Sequence, residues 1–211
     1  MHVPVRKKES LVDYICYLPE GLKIFSYYVL AHEAYLRQEY TYSLGMMEAA
    51  MMMSPKEYPL PFIYTYLAEA ICMMNLMHVG EAKKRFMEAW DIAEKEHFLQ
   101  PFIEHYGLLQ GLVEVCLKKS HPQIYKKIVD LSADFSHGWS ELHNRATANR
   151  VTGDLSRTEF TIAMLYNRGW TIKEIAAHLE MSPRTISNHV RVIYEKLGVK
   201  NKKDLKEYLL K

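Results

Sequence analysis

The sequence repeats itself, and this limits the fold more than any other feature. The stretch P-F-I-Y-T-Y beginning at Pro61 returns as P-F-I-E-H-Y beginning at Pro101, a shift of 40 residues. Ile24 and Tyr27 precede Ile63 and Tyr66 by 39, and Ser43, Met47 and Ala50 align with Ala82, Phe86 and Ala89 at the same spacing. A period of this size is the mark of a helical solenoid, whose units must stack to bury a continuous core, about three being the usual minimum. Strand signals are scarce: there is no clean two-residue alternation and no Asn-Gly or Asp-Gly hairpin turn. Apolar residues recur at helical spacing instead, with Pro and Gly between the blocks. The spacing predicts helices near 11–17, 21–36, 39–53, 60–77, 79–97, 100–117 and 121–134.

Ala31, Ala34, Ala70 and Ala82 are small enough to let paired helices approach closely, while Tyr, Phe and Met fill the gaps between pairs. The series Tyr27, Ala31, Ala34, Tyr40, Ser43, Met47, Ala50, Pro55 resembles a tetratricopeptide-type repeat in its order of aromatic, small and closing Pro positions. The second unit keeps Tyr66, Ala70, Ala82, Phe86 and Ala89 but lacks the closing Pro, and the first helix lacks that family's Trp.

Catalytic constellations are missing from this half. His32-Glu33 opens like a zinc-protease motif, but the position four residues after the His is Leu36, so two ligands cannot share one helical face. Neither a G-x-x-x-x-G-K-[ST] loop nor a G-x-S-x-G elbow occurs. Cys16, Cys72 and Cys116 are odd in number, widely spaced and set in apolar segments, reading as reduced core thiols. No cofactor, no metal and no enzymatic activity are therefore expected. Met46, Met47, Met51, Met52 and Met53 fit a core or subunit contact better than a plastic binding surface. Twelve of the fifteen Tyr fall in residues 1–153, suited to interhelical packing or to a groove for a peptide, small-molecule or protein ligand. The longest apolar candidate, Phe62 to Met77, is interrupted by Glu69 and Asn75, so no membrane span is expected. Arg6, Lys7 and Lys8 are followed by Glu9 and Asp13 and not by an apolar core, so a signal peptide is not expected and a cytoplasmic location is.

The charge is uneven. Residues 1–153 hold 16 basic and 18 acidic side chains, net −2, whereas residues 154–211 hold 11 basic and 7 acidic, net +4. A basic terminal domain points towards an anionic partner. Three helix starts fall within it. Ser156-Arg157-Thr158-Glu159 and Thr171-Ile172-Lys173-Glu174 are capping boxes, and Ser182-Pro183 places an N-cap before a Pro at the first helical position. Gly169 stands where the first of these helices must end in a left-handed residue. Only about three residues, Glu180 to Ser182, join the second helix to the third, the helix-turn-helix arrangement. On the third helix Ile186, Val190, Ile193 and Leu197 form one apolar stripe. Arg184, Ser187, Asn188, Arg191 and Glu195 occupy nearly the opposite side, a polar, net-positive face of the kind that enters a major groove.

Leu155 to Val199 resembles the LuxR/GerE-type helix-turn-helix domain. Leu155, Ser156 and Glu159 match that family's opening L-T-x-R-E, with Ser standing in for Thr. Gly169, Thr171, Lys173, Glu174, Ile175 and Ala176 match G-x-[ST]-x-K-E-I-A, and Leu179, Met181, Ser182, Thr185, Ile186 and His189 match L-x-[IM]-S-x-x-T-[VI]-x-x-H. Ile193, Lys196, Leu197 and Val199 match the closing I-x-x-K-L-x-V. Thr158 replaces the usual Arg of the first helix, and Ser187 replaces the usual Lys of the recognition helix. The resemblance implies that Thr171, Lys173 and Thr185 meet or orient phosphates while Arg184, Ser187, Asn188 and Arg191 face the groove, with Ser182 and Lys196 in the same DNA-binding set. For His189, a phosphate donor and a structural hydrogen bond stand as equal alternatives. Leu205, Tyr208 and Leu209 on a fourth helix near 202–210 would form the dimer contact that the family often places there. Helical repeats followed by such a domain also resemble the C-terminal portion of MalT-like regulators; a stand-alone regulator and a piece of a longer one both fit this order.

The expectation is an all-α protein: tetratricopeptide-like helical hairpin repeats over 1–136, a partly helical linker over 137–153 and a four-helix helix-turn-helix domain over 154–211. Its expected function is that of a bacterial transcription regulator, a homodimer on double-stranded DNA, with the repeats sensing a ligand, binding a partner or holding the dimer. The alternative is a helical-repeat interaction scaffold whose helix-turn-helix no longer binds DNA.

Overall fold

The computed structural model describes residues 12–54, 58–146 and 155–209, with side chains described through 135 in the second stretch and 205 in the third. Pro55, residues 147–153 of the expected linker and the side chains of Tyr208 and Leu209 lie outside the described residues. All regular structure among the described residues is helical. The chain forms two compact units, Met1–His105 and Tyr106–Lys211.

The first unit is a stack of helical hairpins. Residues 12–17 are helical and end in a 3-10 turn, Ile15–Tyr17. Then come α1 (Glu20–Leu36), α2 (Tyr40–Met52), α3 (Pro59–Asn75), α4 (Val79–Glu96) and α5 (Gln100–His105). Helix α3 starts with Pro59 at its first position, where a missing N–H leaves no hydrogen bond unmade. The repeat is written into the backbone of the loops. Gln38 and Met77, 39 residues apart, both take left-handed φ values, 64° and 65°. After each, a backbone N–H returns to the preceding helix, Glu39 to the Ala34 carbonyl at 3.0 Å and His78 to the Met73 carbonyl at 2.9 Å.

Packing follows the same period. Ala31, Ala34, Ala82, Ala89 and Ala93 have no exposed surface, and at one such close approach the Ser43 hydroxyl donates to the Ala31 carbonyl at 2.6 Å. Phe25, Tyr64 and Glu104 hold equivalent places on α1, α3 and α5, and they touch. Phe25 and Tyr64 meet edge to face at 5.9 Å, and the Tyr64 hydroxyl donates to the Glu104 carboxylate at 3.0 Å. Phe86, Trp90 and Phe102 pack edge to face at 5.4 and 5.5 Å as the aromatic centre of the core. Full burial of one such side chain contributes roughly 1.5–3 kcal/mol. Of the methionine cluster, Met47 is core whereas Met52 and Met53 are exposed.

The second unit contains α6 (Leu112–Leu117), α7 (Pro122–Ala146), α8 (Arg157–Asn167), α9 (Ile172–His178), α10 (Pro183–Leu197) and α11 (Lys202–Leu209). Three features differ from the sequence expectation. The single helix expected over 100–117 is two, because Gln110 and Gly111 adopt φ of 52° and 88° and turn the chain before α6. Helix α7 runs to Ala146, past the end expected near 134, and so supplies the helical part of the stretch expected as a partly helical linker. The units also divide at 105/106, ahead of the 137–153 segment, because residues 106–132 pack on α8 and α9. The Arg157 guanidinium donates to the Val129 carbonyl and to the Ser132 hydroxyl, and lies 5.3 Å from the centre of the Tyr106 ring.

Candidate nucleic-acid interface

All three helix starts of the terminal domain are capped by the residues that the sequence indicates. At α8 the Ser156 hydroxyl accepts from the Glu159 N–H while the Glu159 carboxylate accepts from the Ser156 N–H; Thr171 and Glu174 do the same at α9. At α10 the Ser182 hydroxyl accepts from the Thr185 N–H at 3.1 Å and pairs with the Thr185 hydroxyl at 2.8 Å. Each such cap is worth about 1 kcal/mol. Gly169 ends the first of these helices at φ 102° and Gly198 ends the third at φ 64°. Between α9 and α10, Glu180 takes φ 55° and the Met181 N–H bonds the Ala176 carbonyl at 2.9 Å, which closes the turn.

Helix α10 splits as its wheel indicates. Ile186, Val190 and Ile193 are buried and Leu197 is half-buried, whereas Arg184, Ser187, Asn188, Arg191 and Glu195 are exposed. Ile162, Leu165, Trp170, Ile175 and Leu205 complete the core beneath. The exposed residues differ in how far they are already engaged. Among the described residues Arg184 makes no ion pair. The Arg191 guanidinium lies 2.9 Å from Glu195, one helical turn on, with both side chains well exposed. The Ser187 hydroxyl donates back to the Pro183 carbonyl at 3.0 Å, which leaves it only acceptor capacity towards a base edge.

Around this face, Lys173 is exposed in the first turn of α9, and so is Thr171 at the N-cap, whose hydroxyl accepts from the Glu174 N–H and also bonds the Glu174 carboxylate. His189 is half-buried on the flank. Lys196 is more committed: its ammonium lies 2.8 Å from the buried Glu159 carboxylate, tying the end of α10 to the start of α8. Leu205 is 1% exposed and belongs to this domain's own core. The structure therefore leaves Thr171, Lys173, Arg184, Asn188 and Arg191 exposed and Thr185 half-buried on the two helices of a helix-turn-helix, and binds Lys196 into its frame. The role of Glu159 as partner of Lys196 escapes sequence reasoning, since 37 residues separate them. Among the described residues no cluster of three or more His, Cys, Asp or Glu is placed to hold a metal ion, and no helix is long and apolar enough to cross a membrane.

Comparison with known proteins agrees with this geometry. Residues 154–209 match the family described as bacterial regulatory proteins, luxR family. The chain is similar to the HTH-type transcriptional regulator MalT of Klebsiella pneumoniae (strain 342), with 27% identity over 141 residues covering 59% of this chain and 16% of that protein. It is also similar to MalT of Yersinia enterocolitica, with 24% identity over 141 residues and the same coverage, and of Cronobacter sakazakii, with 24% identity over 146 residues covering 62% of this chain and 16% of the relative. The matched part thus spans about a sixth of the length of these relatives. No solved structure gives a significant match. The capped helices, the short turn and the match over 154–209 together make this part of the chain a LuxR-family helix-turn-helix domain.

Proposed function

We propose that the protein is a DNA-binding transcription regulator of the bacterial cytoplasm, non-enzymatic, with α10 as the recognition helix. The observation that carries this reading is the exposed row Arg184, Asn188 and Arg191 on a helix held in a LuxR-family helix-turn-helix. Recognition helices present their N-terminal residues to base edges in the major groove, and Arg and Asn have the donor geometry for guanine and adenine. Thr171, Lys173, Ser182, Thr185 and the half-buried His189 serve phosphates, which position the domain without reading sequence. The chain works as a homodimer on two half-sites, because one small module makes too few contacts for tight specific binding. Tyr208 and Leu209 on α11 are the dimer residues of this reading, with Leu205 as their support. The hairpin stack of the first unit receives the signal, as a small molecule, peptide or protein partner.

A scaffold with a silent helix-turn-helix is the second reading, and the committed Ser187 hydroxyl and the Arg191–Glu195 pair favour it. Titration of the purified protein with random-sequence duplex at two salt concentrations separates the two. The regulator binds with affinity that falls steeply with salt. Absence of binding at low salt overturns the proposal, and mapping of bound DNA across the genome then supplies the target sequence.

A further inference from the structure

We infer that Lys118 and Lys119, outside the matched family domain, form an additional phosphate-contact point for double-stranded DNA beside the recognition helix. This rests on the DNA-binding reading above and extends the interface to a part of the chain that the family match does not include.

The hairpin of α6 and α7 is seated against the α9–α10 turn with little slack. Gly111 lies so close that a Cβ there would come within 2.5 Å of Leu179 Cδ2. The Gln110 carbonyl bonds the His178 ring at 3.0 Å. These contacts seat the start of α6, and the segment that follows this short helix carries two exposed lysines. Lys119 is 80% exposed, yet its ammonium lies 2.5 Å from the carboxylate of Glu180 in that turn. Lys118 is exposed and makes no ion pair among the described residues.

Glu180 precedes Ser182, the N-cap of the recognition helix, by two residues, a span of at most about 7–8 Å along the chain. The Lys119 ammonium is thus held at the turn that leads into the helix end that meets DNA in this motif, and Lys118 is its exposed neighbour in sequence. An exposed ion pair contributes little to stability, so the Lys119–Glu180 pair is not a strong structural clasp. A phosphate at the rim of the groove competes with Glu180 for the same ammonium. The hairpin packs on His178, Leu179 and Glu180 and leaves Lys173, Arg184, Asn188 and Arg191 exposed, so both sets of cations act on one duplex.

The test uses the full chain and two duplexes, one selected by the protein from a random pool and one of random sequence, titrated over a range of salt. The double variant Lys118→Gln/Lys119→Gln is expected to weaken both duplexes alike, by about three- to tenfold, and to lower the salt slope by one to two units. Glu180→Gln is expected to strengthen both. Parent-like affinity and slope in the double variant overturn the inference. Lys173→Ala separates its failure from that of the function itself: if Lys173→Ala lowers the slope and the double variant does not, only the added contact is wrong. If the parent binds neither duplex, the DNA-binding reading falls first.

Discussion

The Lys196 ammonium and the Ser156 backbone N–H converge on one carboxylate oxygen of Glu159, at 2.8 and 2.6 Å. One buried acid thus closes the N-cap of α8 and anchors the end of α10. Burial by itself pushes the Glu159 carboxyl up, but Lys196 and Ser156 outweigh it and hold the group below its ordinary value of 4.5. A depressed carboxyl stabilises the fold above its unfolded-state value and loses that contribution as pH falls through the folded-state one. Glu159→Gln should therefore lower stability by about 2 kcal/mol at neutral pH, the size of a hydrogen bond to a charged group. Unfolding followed at pH 7 and pH 3 checks this, and the deficit should shrink at the lower pH. An equal deficit at both would show that the charge is not what matters.

Glu69 has the opposite sign. It is 1% exposed on α3, and burial pushes its carboxyl up to about 8, against the pull of Arg85, whose Nε lies 2.9 Å away. Glu48 and Glu88 share the Arg85 guanidinium and raise Glu69 further. A raised carboxyl favours the folded state most below its unfolded value near 4.5, and the advantage drains away as pH climbs to about 8. The first unit should lose stability over that interval, and Glu69→Gln should remove most of the loss. Thermal unfolding of parent and variant at pH 5, 7 and 8.5 reads it directly. A slope unchanged by the substitution would locate the titration elsewhere.

Three glycines separate backbone strain from crowding. Gly45 lies inside α2 with nothing within 4 Å of a Cβ, so Gly45→Ala should stabilise by roughly 0.5–1 kcal/mol. Gly169 is equally open but has φ 102°, so Gly169→Ala should lose about 1–2 kcal/mol to backbone strain alone. Gly111 combines φ 88° with the close Leu179 methyl, so Gly111→Ala should cost more than Gly169→Ala. Denaturant midpoints of the three variants test the order. Gly111→Ala as mild as Gly169→Ala would mean that Leu179 yields without strain.

What the sequence revealed and what it concealed divide by range. The caps at Ser156, Thr171 and Ser182, the left-handed Gly169 and the split face of α10 are local, each fixed by residues within one or two turns, and the structure has them as expected. The 39-residue period was legible because equivalent positions carry equivalent side chains, and it reappears in the paired φ of Gln38 and Met77. The break at Gln110 and Gly111 was not legible. Gly107 and Gly111 alone do not stop a helical pattern, and the turn there packs against Leu179 and His178, nearly seventy residues on. The frame role of Lys196, expected only among the DNA-binding residues, was not legible for the same reason: its partner Glu159 is near only in three dimensions.

Arg191 and Lys173 should fail in different ways. Arg191 follows Arg184 by two helical turns on the exposed face of α10, and its pair with Glu195 is a weak surface one that a guanine edge can replace. A guanidinium reading guanine through two hydrogen bonds contributes roughly 1–3 kcal/mol of discrimination. Lys173 stands in the first turn of α9, where a phosphate contact adds affinity but no sequence information. Arg191→Ala should therefore weaken a selected duplex by about ten- to a hundredfold and random DNA much less. Lys173→Ala should weaken both alike and lower the salt slope by about one unit. Glu195→Gln supplies the third comparison: release of Arg191 should raise affinity for random DNA without adding discrimination. Anisotropy titrations of the three variants on both duplexes decide the matter. If Arg191→Ala and Lys173→Ala lose affinity in the same ratio on the two duplexes, α10 is not reading bases through Arg191, and the assignment of the exposed face as the recognition surface falls.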